Sequence, residues 1–182
     1  MIADANAPGG GRRVQGPPQD EGLATKLVPA SITLLLAVAS VLPVRVPGYA
    51  SVTPLFPLMS VYHWIIYRPE LMPPLALFLL GLVLDLLSGA PLGVSSLLFL
   101  IARSVVIRQR RFFANRPFPF VWMGLMLLAV VAVAFLWAVG SAVDGVLLDP
   151  RPAALQAVLT VATFPAVSYL LVRVQRAALA SV

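Results

Sequence analysis

Six long apolar runs, at residues 27–44, 49–67, 74–88, 92–107, 120–143 and 153–172, fill most of this 182-residue chain. Only two of them contain a charge, Asp85 and Arg103. A helix that crosses a bilayer needs roughly 20 predominantly apolar residues, so the chain has room for about six spans and little else. Hydrophobic residues make up 60% of it and charged residues 11%, whereas a soluble domain is about 45–50% apolar and about 25% charged. That is too little charge to cover a water-facing surface. The expected fold class is an all-α membrane protein, a six-transmembrane-helix bundle.

The same arithmetic excludes most chemistry. No length remains for a soluble catalytic domain. The chain contains no cysteine, which removes disulfides, thiol nucleophiles and thiolate metal sites. His63 is the only histidine, so paired-histidine metal ligation is excluded as well. The seven acidic residues are scattered, and no Gly-rich phosphate loop or G-x-S-G motif is present. No catalytic residue, cofactor or metal is expected. The net charge of +6 points to membrane orientation rather than nucleic acid, because in a membrane protein the position of the cations outweighs their sum.

Residues 1–26 are polar and rich in Pro and Gly, and read as a disordered cytoplasmic tail. Residues 27–176 are expected to form one transmembrane domain, and 177–182 a short cytoplasmic tail. Ala37-Val38-Ala39 has the form of a signal-peptide cleavage site. The apolar run continues past it, however, and a long tail precedes it, so the segment is read as a span. Pro54 and Pro57 disfavour a straight helix from 49, and an irregular lead-in with a helix from about Pro57 is expected. Runs 74–88 and 92–107, separated by Gly89-Ala90-Pro91, would be about 22 and 24 Å long as helices. They are either two short spans or a re-entrant hairpin.

With six spans and the N-terminus inside, ten of the 13 Lys and Arg residues fall on the cytoplasmic side. Arg45 and Arg151 fall outside, and Arg103 within a span. This bias follows the positive-inside rule and gives both termini a cytoplasmic location. Trp64, Tyr67 and Trp122 fall near the expected inner interface and Tyr49 near the outer one, as aromatic belts do.

Charges inside a bilayer are costly, so Asp85 and Arg103 are the first functional candidates. Asp85 lies about 6 Å from the outer end of its run, while Arg103 can reach inward toward Arg108, so a direct pair is not assured. His63 lacks the companions a proton relay would need and reads as an interfacial residue bonded to a neighbour. Gly81, Gly89 and Gly93 fit close helix approach and a turn of positive φ. The basic loop 108–119, carrying Arg108, Arg110, Arg111 and Arg116 among phenylalanines, suits topological anchoring, anionic lipids or a cytoplasmic partner.

Taken in order, three pieces resemble the MreD family of rod shape-determining membrane proteins: Pro57-x4-Tyr62-x-Trp64, the stretch Phe78-x2-Gly81-x3-Asp85-Leu86-x-Ser88-Gly89-x2-Leu92-Gly93, and the basic loop after the fourth run. The D-L-x-S-G-x-x-L-G stretch is the specific part. The resemblance implies a non-enzymatic subunit of the cell-elongation machinery in the bacterial inner membrane, taking part in peptidoglycan synthesis. It implies an MreC-like single-span partner and, directly or through it, the RodA glycosyltransferase and its penicillin-binding transpeptidase. It further implies contact with MreB on the cytoplasmic side. It also implies a fold similar to the substrate-binding subunits of energy-coupling-factor vitamin transporters, which supplies the rival function, a vitamin-binding transporter subunit. The expected partner site comprises Asp85, Ser88, Gly89, Leu92 and Gly93 with Pro57, Tyr62 and Trp64.

Overall fold

The computed structural model describes residues 23–41, 52–113 and 118–179. It describes side chains for 29–40, 52–109 and 118–174. The expected tail over 1–22, Arg45, Tyr49, Arg116 and the side chains of Arg110 and Arg111 lie outside what is described. Within it are six helices and no strand: α1 (Leu23–Val41), α2 (Phe56–Tyr67), α3 (Pro74–Ser88), α4 (Val94–Phe113), α5 (Phe118–Asp144) and α6 (Pro150–Leu179). A single 3-10 turn at Pro69–Leu71 links α2 to α3.

The shortest α-helix is the centre of the bundle. α2 is apolar on every side, and a helix apolar all round has to be enclosed. Every residue from Pro57 to Ile66 is buried, between α1, α4 and α6. Leu58, Tyr62 and Ile65 join Phe99 of α4, Leu125 of α5 and Phe164 of α6 in one core cluster. The two polar groups facing each other across α1 and α2 satisfy one another, with Thr33 Oγ1 and Ser60 Oγ 2.8 Å apart. α2 starts with Pro57 in its first turn, as the prolines require.

Two helices, Phe118–Asp144 and Pro150–Val174, are long and apolar enough to cross a membrane. They form a hairpin on the flank, and α5 buries only the stripe Val121, Leu125, Ala129, Ala132 and Val133. Pro165 interrupts the backbone ladder of α6, because proline has no N–H to offer the carbonyl four residues earlier. That carbonyl, of Val161, accepts instead from Trp122 Nε1 of α5 at 3.0 Å.

α4 differs from its expected extent at both ends. It starts at Val94 rather than 92, and it continues to Phe113, so Arg108, Arg110 and Arg111 belong to its last turns and not to a loop. Arginine is a good helix former, and cations at a helix C-terminus are favoured by the macrodipole. The helix therefore reaches about 30 Å. At the first helix the boundary also moves, since α1 begins at Leu23, inside the expected tail. At the other terminus α6 runs through 177–179, where a tail was expected.

Candidate functional site

The specific sequence stretch builds the α3–α4 hairpin, and each of its unusual residues has a physical task there. Gly81 faces Ser96 so closely that a Cβ would collide with the Ser96 Cα and N. Only glycine allows the two helices to meet at that point, and Ser96 Oγ seals the contact by donating to Phe78 O at 2.8 Å. Gly89 ends α3 in the left-handed region at φ 69° and ψ 16°, a common helix terminator. Gly93 lies at φ 96° and leads directly into α4.

Asp85 is fully buried. A buried carboxylate is stable only if it is well bonded. Its Oδ2 accepts from the Gly93 N–H at 2.7 Å, and the Ser95 N–H donates to Oδ1 at 3.1 Å and to Oδ2 at 3.3 Å. Asp85 is thus the N-terminal cap of α4, supplied from the neighbouring helix, with its negative charge at the positive end of the α4 dipole. Arg103 is not its partner: Asp85 is taken up by backbone amides, and Nη1 of Arg103 is buried without a hydrogen bond.

The lead-in to α2 is held by α6. Gln156 Nε2 donates to Thr53 O at 2.9 Å, and the Leu55 N–H donates to Thr160 Oγ1 at 3.1 Å. Gln156 and Thr160 were not singled out in the sequence, although two polar side chains four apart in an apolar helix are the signal that could have found them. Between this lead-in, the α3–α4 turn and α6 lies a cavity of about 210 Å³, lined among others by Ser40, Thr53, Pro57, Ser88, Ser95 and Gln156. A larger adjoining cavity of about 450 Å³, toward the α5–α6 turn, shares Thr53, Leu136 and Gln156.

The structure therefore brings together Pro57 and Ser88 at the cavity, with Asp85, Gly89 and Gly93 forming the turn beside it. Leu92 stands 65% exposed on that turn. Tyr62 and Trp64 are not part of this group. Tyr62 is buried and its hydroxyl donates to Val121 O at 2.8 Å, in the first turn of α5, while its ring meets Phe164 edge-on. Trp64 is buried rather than set at an interface. His63 is also buried, its ring 4.7 Å from that of Tyr67. Arg108 is exposed on α4. Along α3, Leu75, Leu79, Val83 and Leu86 form an exposed apolar stripe opposite the buried one.

Among the described residues no group of His, Cys, Asp or Glu could hold a metal ion. The arrangement offers helix surfaces and a small cavity at one end of the bundle. Comparison with curated proteins and with solved structures finds no match. The family model for the rod shape-determining protein MreD matches residues 22–174. It covers all six helices apart from the last turn of α6, and the chain belongs to this family of shape-determining membrane proteins.

Proposed function

We propose that the chain is a non-enzymatic, six-span subunit of the bacterial inner membrane, with both termini cytoplasmic, that holds the transmembrane helix of an MreC-like single-span partner. Its role in peptidoglycan synthesis runs through that partner to the RodA glycosyltransferase and its transpeptidase, and to MreB on the cytoplasmic side. The observation that carries this reading is the hairpin. A closely packed, internally capped pair of helices presents the exposed stripe Leu75, Leu79, Val83 and Leu86 beside the turn and its cavity. Asp85 acts in this reading as the residue that fixes the shape of the turn, with partner contact made by its exposed neighbours Leu86, Ser88 and Leu92. The cytoplasmic ends of α4 and of the following segment, with Arg108, Arg110, Arg111 and Arg116, anchor the bundle against anionic lipids.

Native mass spectrometry of the gently extracted, tagged protein tests this reading. A co-purifying single-span protein with a periplasmic domain is the expected result. A bound molecule of vitamin mass with an ATPase-linked partner would overturn it in favour of the transporter reading.

A further inference from the structure

The cavity beside the α3–α4 turn is rich in hydrogen-bond acceptors and poor in donors. Its inner space of about 210 Å³ lies between the end of α1, the lead-in to α2, the turn and α6. Ser95 lines it and is 7% exposed. The Ser95 backbone N–H donates to Asp85, while its hydroxyl has no hydrogen-bond partner among the described residues. A buried hydroxyl left unbonded is costly, so the site calls for a guest.

The remaining groups define what kind. Ser40 and Ser88 donate their hydroxyl protons to the helix carbonyls of Ala37 and Leu84, at 2.7 and 2.8 Å, so toward the cavity they can only accept. Gln156 Nε2 donates to Thr53 O, which leaves Gln156 with an accepting Oε1 and one N–H. The hydroxyls of Thr53 and Ser95 can turn either way. Acceptors outnumber fixed donors, and the complement is a group that carries several N–H bonds.

Charge points the same way. Asp149 lines the adjoining cavity of about 450 Å³, and neither space has a cationic residue in its described lining. Asp149 Oδ1 accepts from the Arg151 N–H, and Oδ2 has no partner among the described residues. The positive ends of α4 and α6 lie here, but Asp85 and Asp149 already answer them, and the Leu55 N–H ahead of α2 goes to Thr160 Oγ1. Leu55, Pro57, Leu84 and Leu136 supply an apolar wall. An apolar wall leading to oxygen acceptors suits the aliphatic stem and cationic head of lysine or arginine. The inner space is smaller than the roughly 300–1,000 Å³ of small-molecule sites, which favours one side chain over a free ligand.

We propose that this cavity receives a lysine or arginine side chain of the single-span partner, its cationic head accepted by Ser95, Thr53 and Gln156, with Asp149 at the mouth. The proposal rests on the partner reading above and adds a register to it, since the basic residue must stand level with the α3–α4 turn.

The chain has no cysteine, so Ser95→Cys and Thr53→Cys each place a single thiol in the cavity. In the full-length protein purified free of partners, each thiol should react about tenfold faster with an ethylammonium methanethiosulfonate than with its sulfonatoethyl counterpart, both rates scaled to free cysteine. Asp149→Lys, at an exposed position, should abolish that preference. In native membranes at native expression, both thiols should be protected from the ammonium reagent, and Asp149→Lys should lift the protection. Thr53→Cys decides the matter if Ser95→Cys does not fold. No charge preference in the purified protein, or one independent of Asp149, would overturn the proposal. So would equal reactivity in membranes and in the purified protein, or protection that Asp149→Lys leaves intact, which would mean a neutral occupant. Protection lost on washing the membranes would make the occupant a soluble amine and refute the side-chain assignment. A single-span protein that co-purifies equally with wild type and Asp149→Lys refutes this site alone, whereas the absence of any such protein from wild type refutes the partner reading itself.

Discussion

The α3–α4 and α5–α6 hairpins solve the same problem, reversing an apolar chain, in opposite ways. The α3–α4 turn is specified by buried polar and conformational devices: Gly81 at the closest approach, Gly89 and Gly93 at positive φ, and Asp85 bonded to two amides. The α5–α6 turn is longer in its arms and looser at its tip. It has one left-handed glycine, Gly145, and exposed bonds from Trp137 Nε1 to Leu148 O and from the Leu148 N–H to Ser141 Oγ. Its apolar Leu147 is 84% exposed. One hairpin depends on particular residues and the other mainly on length and hydrophobicity. The dependent one carries the stretch that distinguishes this chain from a generic apolar bundle.

That contrast is open to test by thermal unfolding in a mild detergent. Asp85→Ala should have the largest effect, about 3 kcal/mol, because it strands the buried N–H of Ser95 and the half-buried N–H of Gly93 and removes a helix cap. Gly81→Ala should follow at about 2 kcal/mol, since the added methyl meets the Ser96 backbone and pushes the helices apart. Gly89→Ala meets no neighbouring atom, so only the left-handed backbone is penalised, at about 1 kcal/mol. Leu147→Ser, at the tip of the other hairpin, should stay within about 0.5 kcal/mol. A Leu147 effect as large as that of Gly81 would erase the distinction.

The sequence made the helical plan readable because apolar runs and their charged flanks are local signals. The six helices fall on the six runs, and the prolines at 54 and 57 correctly announce a late start for α2. The extent of α4 was less readable. A row of arginines looks like a loop in a hydropathy trace, yet it is also good helix-forming sequence. Asp85 shows a different limit. Its importance is evident from its cost in an apolar run, but its partners are backbone amides eight and ten residues away, and backbone amides leave no mark in a sequence. Tyr62 and Trp64 share a motif with Pro57 but not a location, since five residues carry Tyr62 to another face of α2 and seven carry Trp64 about 10 Å along it. Pairing across helices, as in Gln156 with Thr53, depends on tertiary packing and cannot be read from spacing.

In the proposed complex a partner helix docks beside the α3–α4 turn and not along the α5–α6 flank. Because the chain has no cysteine, single cysteines can be placed without a background. Leu86, on the exposed stripe of α3, and Val158, in an apolar groove that α5 and α6 form with Trp122, Met126 and Val161, are 66% and 63% exposed. Each would be replaced by cysteine and crosslinked in native membranes. Position 86 should crosslink to a single-span membrane protein and position 158 should not. A crosslink from 158 alone would contradict that placement and move the docking face to the other hairpin.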